Sequence, residues 1–258
     1  MPVERRVRYA TVEGVEGWGL WEGDQVIPLD SSGRPAGESL PMATLRLLPP
    51  VTPSKIIGIG TNYHKHALEM GRALPTVPKI FLKPSTAIVG PNEPILLPPG
   101  AERVDHEVEL GVVIGRRASR VSRAEALEFV AGYTVVNDVT ARDFQRADGV
   151  FARAKGFDSF CPVGPCLVTG LDPRDLGVWA RVNGEARQDG RTSDLIFDVA
   201  TLIEFVSGVM TLLPGDLIAT GTPEGVGPLT HGDLVEVEVE GIGVLRNPVF
   251  DREDRRSR

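Results

Sequence analysis

Residues 105–115 carry the strongest structural signal in this chain and read Asp105-His106-Glu107-Val108-Glu109-Leu110-Gly111-Val112-Val113-Ile114-Gly115. Because alternate side chains of a β-strand point to one face, Glu107 and Glu109 are predicted to lie side by side. The run from Leu110 to Ile114 is apolar on both faces, which is typical of a strand that enters a protein core. Two carboxylates at the mouth of such a strand repel each other unless a cation or solvent separates them.

A second stretch with alternating glutamates, residues 234–240, shows that this pattern alone does not identify a metal site. That stretch is typical of a half-exposed strand with a solvated acidic face. What distinguishes the first stretch is the apolar strand that follows it in the chain, because this strand ends at Asp138. A third carboxylate at that point would complete a hard, oxygen-rich site of the kind that suits Mg²⁺ or Mn²⁺.

The composition excludes several classes of protein. The chain has 258 residues and is 41% hydrophobic, which is enough for one large domain or for one with a small companion. Its 29 glycines and 21 prolines imply many turns and favour short strands over long helices. The formal net charge of −7 argues against nucleic acid or an anionic membrane as a partner.

The expected compartment is the cytoplasm. Residues 1–10 lack the apolar core of a signal peptide, and no apolar run approaches the length that crosses a membrane. The spacing of Cys161 and Cys166 is not a zinc pattern. We therefore expect two reduced and partly buried thiols.

A proline-rich segment, residues 49–53, is predicted to divide the chain. Before it, short β-like pieces alternate with glycine and predict a small N-terminal β module over residues 1–50. Residues 51–250 are then predicted to form the catalytic domain. The mixed-charge end, residues 251–258, is predicted to be a disordered tail.

A short helix is predicted from Tyr63 to about Met70, closed by Gly71. On this helix His66 and Glu69 are three residues apart and share a face. A histidine–carboxylate pair can orient an imidazole for proton transfer, although an exposed pair without a role has the same spacing. Residues 72–78 follow as a proline-bearing loop that is suited to a lid.

Lysine is rare in this chain. Most of its 28 basic residues are arginine, and the lysines are Lys55, Lys65, Lys79, Lys83 and Lys155. Lysine is a compact ammonium group whose pKa shifts readily, and arginine cannot replace it in that role. A lysine inside a motif is therefore a candidate site residue. The two such lysines are Lys83, at the end of a predicted strand, and Lys155, in a predicted loop over residues 151–160.

Six motifs occur in one order between about Lys55 and Phe250, and together they resemble the fumarylacetoacetate hydrolase family. They are Asn62-Tyr63-x-x-His66-x-x-Glu69-Met70, Phe81-Leu82-Lys83-Pro84, His106-Glu107-x-Glu109-Leu110-Gly111, Asn137-Asp138-x-Thr140-Ala141-Arg142-Asp143, Ala154-Lys155-Gly156-Phe157-Asp158 and Thr220-Gly221-Thr222-Pro223-x-Gly225-Val226-Gly227. Each motif is weak by itself, and their order along the chain makes the resemblance specific.

The resemblance implies an α+β, β-rich fold: a mixed β-sandwich roll with a few helices, here with the small N-terminal β module added. It implies a Mg²⁺ or Mn²⁺ site formed by Glu107, Glu109 and Asp138. It also implies catalytic roles for His66 and Glu69, on a lid helix, and for Lys155. The implied substrate-contacting residues are Lys83, Arg142, Gln145 and Thr222.

Members of the family cleave, decarboxylate or isomerise 2-oxo acids and their enols, and the fold alone does not choose among these reactions. The N-terminal module favours members similar to 2-hydroxyhepta-2,4-diene-1,7-dioate isomerase / 5-carboxymethyl-2-oxo-hex-3-ene-1,7-dioate decarboxylase. The first expectation is therefore a metal-dependent isomerase or decarboxylase of 2-oxo or 2-hydroxy-enoic dicarboxylates that acts through a metal-stabilised enolate.

Two alternatives remain open, and two further properties are expected. The nearer alternative is acylpyruvate C–C hydrolysis or oxaloacetate decarboxylation, and the remote one is a non-catalytic metal- or ligand-binding protein. The resemblance implies a homodimer, which would also cover edge strands. A second carboxylate on the substrate is expected to meet Lys83.

Overall fold

The computed structural model describes residues 2–69, 71 and 73–252, and within them the chain is built mainly of short β-strands. The first ten strands are β1 (Glu4–Ala10), β2 (Glu16–Glu22), β3 (Gln25–Pro28), β4 (Leu40–Pro41), β5 (Arg46–Leu48), β6 (Ile56–Gly60), β7 (Lys79–Lys83), β8 (Ile88–Val89), β9 (Ile95–Leu97) and β10 (Val104–His106). The next ten are β11 (Val108–Ile114), β12 (Val130–Asn137), β13 (Thr140–Ala141), β14 (Cys161–Thr169), β15 (Gly177–Val182), β16 (Glu185–Arg191), β17 (Leu217–Ala219), β18 (Gly227–Leu229), β19 (Leu234–Val239) and β20 (Gly243–Asp251). The α-helices are α1 (His64–Glu69), α2 (Arg142–Asp148), α3 (Ala152–Lys155) and α4 (Val199–Val209).

The strands form three sheets, which confirms the predicted mixed β-sandwich roll with a few helices. A twelve-stranded sheet runs in the order β4-β3-β2-β1-β14-β12-β11-β17-β6-β7, with β5 and β8 paired beside this path. A five-stranded sheet, β16-β15-β19-β20-β9, packs against the middle of the large sheet, and β13-β10-β18 form a small third sheet. The hydrophobic core lies between the layers. Strand β11 contributes to it and is buried along its whole length, as its apolar run predicts.

A parallel pair of strands places one end of the large sheet at the candidate site. β17 pairs with β6 in parallel, with Ala219 opposite Gly58, whereas β11 pairs with β12 and β17 in antiparallel orientation. Because parallel strands end at the same edge, the segments that follow β6 and β17 meet there. One of these segments is α1, and the other is the glycine-rich loop of residues 220–227.

The N-terminal strands continue the large sheet. β1 pairs with β14 in antiparallel register, with Arg6 opposite Leu167, and the strands β2, β3 and β4 extend the sheet outward from β1. The predicted small β module is therefore attached to strand β14 of the large sheet through main-chain hydrogen bonds. Its division from the rest of the chain at residue 50 stays a prediction.

Local sequence patterns account for several of the observed elements. β15 and β16 form a hairpin whose turn is Asn183-Gly184, with φ values of 54° and 80° that suit a tight two-residue turn. α4 begins at its cap Asp198, whose carboxylate accepts the N–H of Thr201. β19 buries Val235 and its alternate neighbours and leaves its glutamates partly exposed, as expected of a solvated acidic face.

Two predicted boundaries are corrected or lie partly outside the described residues. Strand β20 includes Asp251, and the N–H of Arg252 donates to the carbonyl of Leu97, so the chain is ordered beyond the predicted start of the tail. Residues 253–258 lie outside the described part of the chain. The helix predicted from Tyr63 is observed from His64 to Glu69, while Met70 and Arg72 lie outside the described residues.

No helix in the described residues is long and apolar enough to cross a membrane. The longest of them, α4, has 11 residues and packs its apolar face on the core. The predicted cytoplasmic location stays a prediction.

The two thiols give a prediction that follows from burial. Cys161 and Cys166 are free and fully buried on β14, and burial raises the pKa of each to about 12. Since this pKa lies far above pH 8, only about one thiol in 10⁴ is the reactive thiolate at that pH. We expect a thiol reagent at pH 8 to label the folded protein very slowly and to label both cysteines after unfolding in guanidinium. Rapid labelling of two thiols in the folded protein would contradict the buried positions.

Candidate active site

Three carboxylates converge where β11 and β12 meet. Val108 lies opposite Asn137 in the antiparallel register, and the N–H of Asp138 donates to the carbonyl of Glu107 at 2.8 Å. Glu107, Glu109 and Asp138 are all buried, and their ligating oxygens lie within 4.8 Å of one another. The structure therefore brings together the three residues that the sequence predicted as metal ligands.

Two of the three carboxylates have cationic partners. Glu107 accepts from Arg142 at 2.5 Å and from Lys155 at 2.8 Å, and Asp138 accepts from Lys155 and Lys83 at 2.5 Å each. Burial opposes the charge on Glu107, but Lys155 and Arg142 outweigh it and hold the pKa of that carboxyl well below its usual range. For Lys155, burial opposes the ammonium, and Asp138 and Glu107 outweigh it and raise its pKa.

The third carboxylate, Glu109, lacks such a partner among the described residues and accepts the N–H of Gly221 at 2.8 Å. Burial, followed by repulsion from Asp138 and Glu107, raises the pKa of Glu109 well above its usual value. Three anionic oxygen donors in one buried cluster, with one of them uncompensated, fit a divalent cation that prefers hard ligands. The donor set therefore fits Mg²⁺ or Mn²⁺.

Arg142 is fixed by a carboxylate that the sequence analysis did not single out. Asp105 is buried, and its Oδ2 accepts from Arg142 Nε at 2.8 Å. Arg103 binds the same carboxylate from its other side, and Arg142 also donates to Gln145 at 3.2 Å, one turn along α2. The alternation of Asp105 with Glu107 along the sequence could have marked Asp105 as a site residue. Its pairing with Arg103 and Arg142, however, is seen only in the folded chain.

Lys83 ends strand β7 as predicted, whereas Lys155 differs in position from the prediction. Lys155 lies on the short helix α3 rather than in a loop, and its ammonium reaches Glu107 and Asp138. Lys83 lies behind Asp138, with its side chain 0% exposed and its ammonium donating to Asp138 and to the carbonyl of Val139. The ammonium of Lys83 therefore has a protein partner and Lys83 is not among the residues that line the cavity, so its expected contact with a second substrate carboxylate stays a prediction.

The predicted dyad lies on α1 and faces the acidic residues. His66 is buried, and its Nδ1 lies 3.1 Å from Glu69 Oε2. Since a carboxylate only accepts hydrogen bonds, Nδ1 carries the hydrogen of the neutral ring and Nε2 is left to exchange a proton. The other oxygen of Glu69 accepts the N–H of Gly225 at 3.2 Å, so Glu69 also joins α1 to the glycine-rich loop.

A small cavity, with about 30 Å³ of space for water, is lined by most of the predicted site residues. Its wall contains both polar and apolar residues. The lining residues are Ile59, Gly60, Thr61, His66, Phe81, Glu107, Glu109, Arg142, Gln145, Phe151, Lys155 and Thr222. Thr61 has a φ of 56°, in the left-handed region that a β-branched residue rarely adopts. Backbone strain of this kind costs about 1–3 kcal/mol and is concentrated at functional sites.

A buried polar network that the sequence did not reveal holds the loop after β17. Gln188 of β16 accepts from the N–H of Val108 at 3.1 Å and donates to Thr222 and to the carbonyl of Pro223 at 2.8 Å each. Its Oε1 also lies 3.0 Å from His106 Nδ1, which must therefore be the donor. Thr222 in turn donates to the carbonyl of Val108 at 2.8 Å. The network keeps Thr222 beside the strand that carries Glu107 and Glu109.

Known proteins are similar to this chain in both fold and sequence. A 2-hydroxyhepta-2,4-diene-1,7-dioate isomerase from Mycobacterium marinum superimposes with a TM-score of 0.90 at 46% identity, over 97% of this chain and 100% of that one. A maleylpyruvate hydrolase from Sphingobium sp. SYK-6, solved with manganese(II) and pyruvate, gives 0.83 at 32% identity, over 96% and 100%. Oxaloacetate tautomerase FAHD2A, mitochondrial, from Bos taurus is 45% identical over 81% of this chain and 71% of its own length.

Two family models cover nearly all of the chain. Residues 4–50 match the model described as Rv2993c-like, N-terminal. Residues 55–250 match the model described as Fumarylacetoacetate (FAA) hydrolase C-terminal, and this span includes every residue of the acidic cluster, the dyad and the cavity wall. The chain therefore belongs to the fumarylacetoacetate hydrolase family, whose members include isomerases, hydrolases and tautomerases.

Proposed function

We propose that this protein is a Mg²⁺- or Mn²⁺-dependent isomerase of small 2-oxo acids and their enols, with dicarboxylates as its substrates. The observation that carries the proposal is the shared cavity of His66 and of the acidic residues Glu107 and Glu109. A proton-transfer group and a cation site that face one space are what movement of a proton next to a carbonyl requires.

The residues of the chain have separate roles in this proposal. A divalent ion held by Glu107, Glu109 and Asp138 would supply Lewis-acid polarisation of the 2-oxo acid oxygens. Nε2 of His66 takes a proton from the carbon next to the carbonyl and returns it to another position of the same substrate. Glu69 keeps the imidazole oriented and stabilises its charged form.

Fixed cations limit where negative charge can develop. Arg142 and Lys155 line the cavity and are held by buried carboxylates, so their positions are set before a substrate enters. Preorganised charges of this kind stabilise a developing oxyanion without reorganisation during the reaction. The amide of Gln145 lies beside Arg142 and offers a hydrogen bond to the same end of the substrate.

The local charge supports a dicarboxylate. Four buried carboxylates, from Asp105, Glu107, Glu109 and Asp138, are matched by three buried cations, from Lys83, Arg142 and Lys155, and by Arg103, whose side chain is 49% exposed. With Glu109 ionised these charges cancel, and a divalent ion leaves an excess of two positive charges. A substrate with two carboxylates matches that excess better than a monoanion.

Hydrolysis of a C–C bond is the second candidate, and the structural similarity to a maleylpyruvate hydrolase favours it. In that reaction the same dyad would activate a water molecule instead of moving a proton within the substrate. Decarboxylation is the third outcome, because loss of CO₂ from a 2-oxo dicarboxylate produces the same kind of enolate.

One experiment separates these reactions. The Mg²⁺-loaded protein is incubated in D₂O with a panel of 2-oxo mono- and dicarboxylates, and the products are followed by NMR. Isomerisation is expected to exchange hydrogen for deuterium beside the carbonyl and to leave the carbon skeleton intact. Release of pyruvate without CO₂ would assign hydrolysis, release of CO₂ would assign decarboxylation, and no change in any substrate would refute an enzymatic role.

We also propose that the protein is a homodimer. β7 is the last strand of the large sheet, and Leu82 on this edge is 50% exposed. Edge strands with exposed apolar side chains are commonly covered by association. Sedimentation at micromolar concentration is expected to give about twice the chain mass of 27.8 kDa, and a species of the chain mass alone would rule the dimer out.

A further inference from the structure

Lys79 differs from the other lysines in the part of the chain that the structure describes. Lys55 pairs with Asp216, and Lys65 lies 3.7 Å from Glu224. Lys83 and Lys155 are held by the acidic cluster. Within the described residues, Lys79 has no carboxylate within ion-pair distance, and its ammonium lies 4.9 Å from the centre of the Phe151 ring.

The position of Lys79 follows from the alternation of strand β7. Lys79, Phe81 and Lys83 point to the same face, since they are spaced by two residues. Phe81 lines the cavity and Lys83 reaches Asp138 beneath it. Lys79 comes at the outer end of the same row, where its side chain is exposed. The three residues therefore run along one face of β7 from the acidic cluster, past the cavity wall, to an exposed position.

Phe151 connects this lysine to the cavity. Its ring lines the cavity and lies 4.9 Å from the ring of Phe81. Gly60, opposite Lys79 in the β6–β7 register, lies beside this ring, since a Cβ added there would meet it at the ordinary contact distance of 3.5 Å. An exposed cation therefore lies against an aromatic ring of the cavity wall.

We propose that Lys79, placed over Phe151, binds the distal carboxylate of the substrate, in the role that the sequence assigned to Lys83. The inference rests on the proposed function, because it assumes that the 2-oxo acid end of the substrate lies at the acidic cluster. An aromatic ring restricts the lysine side chain without neutralising it. The charge of Lys79 is therefore available for a ligand, whereas the charges of Lys83, Lys155 and Arg142 already have protein partners.

The test compares two ligands of the same length, 2-oxopentanedioate and 2-oxopentanoate, which differ in the distal carboxylate. Their binding to Mg²⁺-loaded protein is measured by isothermal titration calorimetry. We expect wild type to bind the dicarboxylate about two- to fivefold more tightly, which is the range for a partly exposed charge pair. Lys79→Met is expected to bring the ratio close to one with unchanged affinity for the monocarboxylate, and Lys79→Arg to restore the preference.

Lys65→Met is the matched control, because Lys65 is also an exposed lysine near the site and already has carboxylate partners. It is expected to keep the wild-type ratio. A wild type that binds both ligands equally, or a ratio that survives in Lys79→Met, would overturn the assignment of Lys79. Absence of any binding by either ligand would overturn the proposed function as well, so the two failures are distinguishable.

Discussion

Glu109→Gln is expected to weaken Mg²⁺ or Mn²⁺ binding by more than about a hundredfold and to lower kcat/KM at least as much. Even loss of a hydrogen-bond partner of a metal ligand costs about 10–100-fold, and this variant removes a charged ligand itself. The amide keeps the shape of the side chain and can still accept the N–H of Gly221. The expected loss therefore concerns charge rather than packing.

The stability of Glu109→Gln without metal should move in the opposite direction. Burial and the neighbouring carboxylates raise the pKa of Glu109, so its ionised form destabilises the fold at every pH above its ordinary pKa. A neutral amide lacks that cost. We expect the Tm of the metal-free variant to equal or exceed that of wild type, while the rise in Tm on adding Mg²⁺ is lost.

Glu238→Gln is the matched control. Glu238 occupies the other strand with alternating glutamates and pairs at 3.0 Å with Arg181, at a partly exposed position. Loss of such a pair costs about 0–1 kcal/mol, and metal binding should be unchanged. A wild-type metal response in Glu109→Gln would remove Glu109 from the proposed ligands.

His66→Ala is expected to lower kcat by about 10²–10⁴-fold, the usual contribution of a positioned acid–base group. The three carboxylates remain, so the affinity for Mg²⁺ measured by titration should stay within about twofold of wild type. A fall in kcat with an unchanged metal affinity separates a proton-transfer role from a structural one.

His64→Ala provides the control for this experiment. His64 lies on the same helix, is exposed, and contacts the carbonyl of Asp194 at 2.9 Å. We expect its turnover to remain close to that of wild type. Normal turnover of His66→Ala at saturating substrate would instead show that His66 is a packing residue of α1, and the proposed proton transfer would need another base.

Much of the site was predictable because strand alternation and buried apolar runs are local properties of a sequence. Glu109 lies on β11 and Glu107 immediately precedes this strand, and Asp138 follows the end of β12. The helix that carries His66 and Glu69 also follows from local spacing. Motif order then identified the family, which the family models confirm.

Partners that are far apart in sequence could not be predicted in this way. Gln188 is 82 residues from His106, and Asp105 is 37 residues from Arg142. Their contacts depend on strand register and on how the two main sheets pack, and no local pattern encodes either. These residues hold the site in place but show no catalytic residue type or spacing of their own.

The sequence by itself predicted the β-rich class from residue type and short-range periodicity, and it predicted the three acidic residues and the pair His66 and Glu69 from their spacing together with the order of the family motifs. Only the tertiary structure decided which charges are available to a substrate. Lys79 and Lys83 are four residues apart and lie on one face of β7. The ammonium of Lys83 is nevertheless neutralised by Asp138, whereas that of Lys79 lies over an aromatic ring. The physical reason is that the field at a buried group is set by neighbours within a few ångströms, and the fold brings those neighbours from distant parts of the chain.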